Sequence, residues 1–331
     1  MIAKHPAMMI EATLADDPSA IKCRAHSTFA LRKIAFLQSL EGGPKLRYKR
    51  YLKSPLRYAG GKSLAVGLIV EHLPDSIKRI ISPFMGGGSV EIACAELGLD
   101  VVAYDVFDIL ANYWQIQIKR PEELFNRMRE FDPNRITFKA VKERLKKHWK
   151  NGKTLSPLSL AAYYYFNSNT SYGPHFLGWP SDIYLNEKRY RKMIEKSRAF
   201  RAPTLDVRCA SFDKVIPRYP HDFLYCDPPY YLEEGKMFVG MYPNRNFPIH
   251  HVGFKHEVLR DMLKAHRGGF ILSYNDCKTI RGWYKEFKMI APKWQYTFGQ
   301  GDTRIGENRL RDNNGNHIKK SHELLIWKDP S

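Results

Sequence analysis

The chain has 331 residues, and 53 lysines and arginines against 34 aspartates and glutamates give it a formal net charge of +19. Its 44% of hydrophobic residues can bury a large core, which excludes a disordered or collagen-like chain. Five cysteines without a C-x-x-C pair argue against a disulfide scaffold or a zinc ribbon. No apolar run approaches the roughly 18 residues of a membrane span, and the first residues turn acidic too early for a secretion signal. We therefore expect a cytoplasmic protein whose positive charge favours nucleic acid as partner.

Residues 1–50 are predicted to form an N-terminal extension that is partly helical. Within it, residues 28–41 have the spacing of one amphipathic helix that ends at Gly42. Its apolar side, expected to pack on the main body, consists of Phe29, Ile34, Phe36, Leu37 and Leu40.

From residue 53 onward, strands alternate with helices. Three helices are predicted in this part of the chain: one over 89–98 that Ser89 caps, one that begins at residue 108, and one over 255–266. This alternation predicts an α/β fold with a doubly wound, mostly parallel sheet. The predicted strands are the apolar runs 79–82, 100–105, 205–210, 222–227, 269–274 and 323–327.

A helical, basic segment over 119–200 interrupts this alternation. We predict that it is an insertion in a single domain formed by 51–118 and 201–331. Between Lys119 and Lys153, twelve basic residues face five acidic ones. A solvated helix face accounts for such a charge, but the excess over the whole chain favours a surface that contacts phosphates. The polar, basic segment 299–321 is expected to approach a nucleic-acid backbone.

Two features indicate a nucleoside-binding site. The glycine-rich turn SPFMGGGS, from Ser82 to Ser89, joins a strand to a helix, where glycines let the backbone approach a ligand closely. Asp105 ends the next strand, where an acid can accept the hydroxyl groups of a ribose. The alternative role for Asp105 is a helix cap, which Asp108 can fill instead.

The sharpest motif is Asp227-Pro228-Pro229-Tyr230 at the end of an apolar strand. The two prolines stop the strand and fix the local backbone. A carboxylate and a bare carbonyl at a strand end suit a planar substrate that carries an amino group. Asp227 and Pro228 would accept its two N–H bonds while Tyr230 stacks on the ring.

Taken in order, the motifs resemble those of the D12-class, Dam-like, DNA adenine-N6 methyltransferases. SPLRYAGGK (54–62), SPFMGGG, YFNSNTSYGP (165–174), DPPY and LSYND (272–276) each resemble a motif of that family. The resemblance spans roughly residues 52–328. It implies a Rossmann-like methyltransferase fold, S-adenosylmethionine as cofactor, and a flipped adenine in a short duplex sequence as substrate.

The resemblance also implies roles for single residues. The catalytic residues would be Asp227, Pro228, Pro229 and Tyr230. The cofactor would be bound by Tyr58, Gly60, Gly61, Lys62, Phe84, Gly86, Gly87, Gly88, Asp105, Phe212 and Asp227. DNA would be contacted by Asn167, Asn169, Ser171, Tyr172, Lys146 and Lys147. The chain departs from the family at Ser82, where an acid is usual and Glu91 is the candidate substitute, and at Ser168, which replaces an arginine.

The expected partner is double-stranded DNA, with a restriction endonuclease as a functional partner and a monomer or weak dimer as the assembly. The expected origin is a bacterium, a phage or a virus.

No metal site is predicted, because His250, His251 and His256 lack an acidic or cysteine partner at ligand spacing. The open alternatives are transfer to cytosine N4, RNA adenine or protein glutamine, and a non-catalytic DNA-binding protein on the same fold. A nicotinamide-dependent oxidoreductase is disfavoured, because G-x-G-x-x-G is absent.

Overall fold

A computed structural model describes residues 18–42, 47–152, 154–231, 253–292 and 323–330, with only the backbone given for 18–27. Among these residues, no helix is both long enough and apolar enough to cross a membrane. The predicted basic segment 299–321 and His250 and His251 lie outside the described ranges.

The core of the molecule is a seven-stranded sheet in the order β3-β2-β1-β4-β5-β7-β6. The first five strands are parallel, whereas β7 runs antiparallel to both β5 and β6. This confirms the predicted α/β class with a mostly parallel sheet. The strands are β1 (Arg79–Ser82), β2 (Asp100–Asp105), β3 (Leu205–Cys209), β4 (Phe223–Cys226), β5 (Phe270–Asn275), β6 (Lys288–Ile290) and β7 (Glu323–Lys328).

Helices cover both faces of this sheet, so that β1, β2, β4 and β5 are buried along nearly their whole length. The α-helices are α1 (Pro18–Ser39), α2 (Val66–Glu71), α3 (Ser89–Glu96), α4 (Asp108–Lys119), α5 (Pro121–Met128), α6 (Arg135–Asn151), α7 (Pro157–Thr170), α8 (Glu187–Ala199), α9 (Phe212–Val215), α10 (His256–Ala265) and α11 (Lys278–Trp283).

The strand order reverses between β1 and β4. From β1 the chain continues outward to β2 and β3, and it then returns to place β4 on the other side of β1. Open α/β sheets bind ligands outside the carboxyl ends of the strands at such a switch point. The glycine turn follows β1 and DPPY follows β4, so the topology brings these two motifs side by side.

The helices α5 to α8 lie between β2 and β3 in the sequence, where the helical insertion was predicted. They are not packed as a separate body, because one hydrophobic core contains residues of the sheet, of α4 and of the insertion. Across the contact between α4 and α7, the rings of Tyr113 and Tyr165 are stacked at 5.8 Å. The insertion is therefore tied to the helix that follows Asp105.

Three details differ from the predictions. Ile34 on α1 is 53% exposed, whereas Phe29 and Leu40 of the same predicted apolar side are buried. Ser89 is the first residue of α3 rather than its cap, because Gly88 takes the cap position in a left-handed conformation with φ of 67°. The short strand β6 was not predicted, since its three residues are only partly buried and too few to show a pattern.

Candidate active site

The glycine turn is fastened to Asp105 across the ends of β1 and β2. The backbone N–H of Gly86 donates to Asp105 Oδ2 at 3.0 Å, and that of Phe107 donates to Oδ1 at 2.9 Å. Burial raises the pKa of Asp105, and these backbone donors partly oppose the rise. Asp105 therefore organises the turn itself, a role that its position in the sequence did not indicate.

Crowding by neighbouring side chains and a left-handed backbone explain why the turn consists of glycines. A Cβ on Gly87 would lie 2.7 Å from Tyr58 Cβ, and one on Gly88, which has a φ of 67°, would lie 2.5 Å from Met85 Cε and 3.1 Å from the ring of Trp114. The buried Trp114 also donates its indole N–H to the carbonyl of Gly86 at 3.0 Å. The turn thus holds the loop that carries Tyr58 directly against the end of β1.

That loop reaches the DPPY motif through Lys62. The side chain of Lys62 is buried, and its Nζ lies 2.6 Å from Asp227 Oδ1 and 5.2 Å from the centre of the Tyr230 ring. Burial raises the pKa of Asp227, while the neighbouring ammonium lowers it. Lys62 was predicted at the cofactor and Asp227 at the target amino group, and the structure brings the two into direct contact.

A second carboxylate shares this lysine. Glu323, the first residue of β7, is 3% exposed, and its Oε1 lies 3.7 Å from Lys62 Nζ. Burial raises the pKa of Glu323 to about 7; Lys62 opposes the rise and Asp227 reinforces it. Glu323 was not among the residues predicted for the site. The available signal was an acid at the start of an otherwise apolar strand.

The departure at Ser82 is accompanied by a buried contact to α3. Ser82 Oγ donates to Glu91 Oε1 at 2.6 Å, and both residues are buried. Burial raises the pKa of Glu91 to about 8, although the bond from Ser82 lowers it. The candidate substitute Glu91 is therefore in direct contact with the serine that stands in place of the usual acid.

Three aromatic rings, those of Phe84, Phe212 and Phe254, pack together near these strand ends. The ring of Phe84 lies 5.7 Å from that of Phe212, and Phe254 lies 5.1 Å from Phe212. At Gly60, an added Cβ would meet no atom within 4 Å, so space is open beside the loop. These groups fit a nucleoside. The carboxylate of Asp105 has further lone pairs that can accept hydrogen bonds from hydroxyl groups, and the rings of Phe84 and Phe212 can pack on a base.

The residue after DPPY is fixed to the end of β5. Tyr231 donates its backbone N–H to Asn275 Oδ1 at 2.8 Å, and Asn275 Nδ2 donates back to the carbonyl of Tyr231 at 2.7 Å. The ring of Tyr231 packs edge-on against His256, which is buried beside Tyr274. The LSYND motif therefore holds the chain that leaves DPPY, and His256 belongs to this aromatic packing.

The predicted DNA contacts divide into two groups. Asn167, Asn169 and Ser171 are completely buried, which contradicts a direct role in binding DNA. Their side chains satisfy the backbone instead: Asn169 accepts from Arg57 N–H at 3.0 Å and Asn167 from Leu177 N–H at 2.8 Å. These bonds fasten the loop after α7 to the segment that precedes Tyr58.

The remaining predicted contacts are on the surface. Tyr172 is 56% exposed, and Lys146 and Lys147 project from α6. The two lysines belong to a basic stripe, the exposed side of α6 opposite its buried face of Phe138, Val141 and Leu145. The lysines of this stripe are Lys139, Lys146, Lys147 and Lys150.

Comparison with known proteins gives a family for this arrangement. The model of the D12 class N6 adenine-specific DNA methyltransferases matches residues 58–298, most of the chain. The chain is 25% identical over 232 residues to the type II methyltransferase M.FokI of Planomicrobium okeanokoites, covering 65% of this chain and 35% of that protein. It is 23% identical over 295 residues to the modification methylase StsI of Streptococcus sanguinis, covering 84% of this chain and 43% of that protein. The chain thus spans less than half the length of these curated relatives.

Proposed function

From the premise that this chain belongs to the D12 class of N6 adenine-specific DNA methyltransferases, we propose that it methylates adenine N6 within a short sequence of double-stranded DNA. The observation that carries the proposal is the 2.6 Å contact between Lys62 and Asp227. It joins the loop proposed to bind the methyl donor to the motif proposed to bind the target. Donor and acceptor must meet at one point in any group transfer, and this contact supports such a point.

Asp227, Pro228 and Tyr230 would hold the target base. The Asp227 carboxylate and the Pro228 carbonyl accept hydrogen bonds from the exocyclic amino group, and the ring of Tyr230 stacks on the base. Accepting both N–H bonds draws electron density toward the nitrogen and makes it more nucleophilic. Pro229 keeps this backbone rigid. Because the amino group is inaccessible within the stack, the base must leave the duplex to reach these residues.

The methyl donor that we propose is S-adenosylmethionine. When bound, it supplies an electrophilic methyl group. The residues proposed to hold it are those of the loop (Tyr58, Gly60, Gly61 and Lys62), the turn (Phe84, Gly86, Gly87 and Gly88), Asp105, Phe212 and Asp227. Asp105 would accept the ribose hydroxyls with the lone pairs that its two backbone bonds leave.

The basic stripe on α6 and the exposed Tyr172 are the proposed DNA-facing surface. Exposed lysines along one helix face can contact phosphates, and such contacts give affinity that falls with salt. We further propose that the chain acts as a monomer or weak dimer and protects DNA from a restriction endonuclease as its functional partner.

A substrate panel tests the proposed function. The chain is incubated with labelled S-adenosylmethionine and with duplex DNA, cytosine-containing DNA without adenine, RNA, or a glutamine-containing protein. We expect label in adenine-containing duplex DNA alone, and sequencing of that DNA for N6-methyladenine then gives the target sequence. Label in another substrate would replace the proposal by one of its alternatives. Binding of DNA without any transfer would leave a non-catalytic binding protein.

Asp227→Asn tests the proposed role of the carboxylate. The amide keeps the size of the side chain but loses the charge that pairs with Lys62 and strengthens the acceptor. We expect transfer to fall by about 100-fold or more, the size seen when one polar group that stabilises a transition state is removed. Binding of S-adenosylhomocysteine, measured by calorimetry, should weaken far less than transfer falls, because the other residues proposed to hold the cofactor are unchanged. Asp261→Asn, in a surface ion pair with Arg260, is the matched control, and equal rates in both variants would contradict the assigned role.

A further inference from the structure

We propose that Glu323 is a positioning residue for methyl transfer and acts by sharing Lys62 with Asp227. The inference rests on the proposed function and extends it to a residue outside the family match, which ends at residue 298. It assigns to the last strand a part in the chemistry of the site.

The direction of β7 brings Glu323 to the site. The strands β4 and β5 point their carboxyl ends at the site, and β7 runs the opposite way beside β5. The first residue of β7 therefore lies at the edge where its parallel neighbours end, and Glu323 pairs with Asn275, the last residue of β5. The same Asn275 holds the backbone of Tyr231.

The charges of Lys62, Asp227 and Glu323 do not balance, because one ammonium group faces two carboxyl groups. One buried ammonium lies 2.6 Å from the Asp227 carboxylate and 3.7 Å from the Glu323 carboxylate. The Glu323 side chain is buried and that of Asp227 is 20% exposed, and two carboxylates that share one cation titrate as a pair, in two coupled steps. Two further buried titratable groups interact with Asp227, which raises the pKa of Glu91 on α3 and of Tyr225 on β4.

The consequence for Asp227 follows from the position of the shared charge. When Glu323 is ionised, it attracts the Lys62 ammonium, and Asp227 keeps more negative charge for the amino group of the substrate. When Glu323 is protonated, the ammonium is paired with Asp227 alone, which weakens Asp227 as an acceptor. Because burial raises the pKa of Glu323 to about 7, transfer should become faster as the pH rises through neutrality.

Glu323→Gln tests this inference through the pH profile of a single turnover. Wild type should show a rise in rate near pH 7. The variant should lack that rise and be about tenfold slower at pH 8. A tenfold loss is the lower end of what is lost in metal sites when a residue that orients a ligand is replaced. The affinity for S-adenosylhomocysteine should stay unchanged. A merely structural role would lower stability but leave the rise near pH 7 in place, and that result would overturn the inference.

The matched control is Glu91→Gln, which removes another buried carboxyl that acts on Asp227 but is bonded to Ser82. It should keep the rise near pH 7. A control that loses the rise as well would show that the step does not belong to Glu323, and the inference would fail.

A second measurement does not depend on activity. In protein labelled with ¹³C-aspartate, the Asp227 carboxyl signal, assigned with Asp227→Asn, should titrate in two steps in wild type and in one step in Glu323→Gln. If wild type methylates no DNA, the proposed function fails, and this titration alone decides the role of Glu323. If the variant does not fold, the wild-type titration decides it: a second step near pH 7 supports the inference, and a single step overturns it.

Discussion

Replacement of Gly87 by alanine should damage both the stability of the chain and its proposed cofactor loop. The added Cβ would lie 2.7 Å from Tyr58 Cβ, whereas ordinary contact begins at 3.4 Å. Tyr58 Cβ adjoins the backbone and cannot rotate away, so the loop itself must recede by about 0.7 Å or the turn must shift. Such overpacking costs typically about 1–3 kcal/mol of the free energy of unfolding.

Two measurements follow the two consequences of Gly87→Ala. Urea unfolding monitored by circular dichroism gives the change in stability. Calorimetric titration with S-adenosylhomocysteine reports whether the displaced loop still binds the proposed cofactor, and we expect weaker affinity because Tyr58, Gly60, Gly61 and Lys62 move together. Methyl transfer should fall with it, since Lys62 carries the contact to Asp227.

The matched control is Gly282→Ala on α11. No atom lies within 4 Å of the position that its Cβ would take, and it lies inside a helix, where alanine is favoured over glycine by about 1 kcal/mol. The same substitution should therefore leave stability unchanged or slightly raised. If Gly87→Ala behaves like Gly282→Ala in unfolding and in binding, the packing of Tyr58 on the turn does not constrain the loop, and the reasoning is refuted.

Two further predictions concern the buried groups around the site. Trp114→Phe removes the indole donor to the carbonyl of Gly86, and it should lower the free energy of unfolding by about 1–3 kcal/mol in urea; a smaller loss would show that water replaces the donor. Burial raises the pKa of Glu91 from 4.5 to about 8, so the folded chain binds a proton that the unfolded chain releases, and stability should decline as the pH rises between these values. Glu91→Gln should flatten part of that decline in melting temperatures measured from pH 5 to pH 9, and an unaltered slope would show that Glu91 is ionised in the fold.

The sequence predicted the parallel part of the sheet well because four of its strands, β1, β2, β4 and β5, are buried along nearly their whole length. Such strands appear as continuous apolar runs, as at Ile80 and Ile81 or at Leu224 and Tyr225. Their order along the chain also placed the glycine turn and DPPY at strand ends. The orientation of β7 has no such signature, because an apolar run looks the same in either direction. Glu323 was therefore not recognised as part of the site.

Polar residues near the motifs were harder to interpret. Asn167 and Asn169 were expected to contact DNA because the stretch YFNSNTSYGP, which contains them, resembles a motif of the family. An amide can equally satisfy buried backbone groups, and here the segment after α7 needs such partners: Leu177 has a positive φ of 56° and its N–H is bonded to Asn167. Only the tertiary arrangement separates these two uses.

The pairing of Asn275 with Glu323 makes the end of β5 a reference point for the site. Asn275 fixes the backbone that follows DPPY, through its bond to Tyr231, and it also fixes the position of Glu323 along β7. Since successive residues of a strand point to opposite faces, a slip of β7 by one residue would turn the carboxylate away from Lys62. What keeps Glu323 in place is therefore the ladder beside it rather than the length of chain before it.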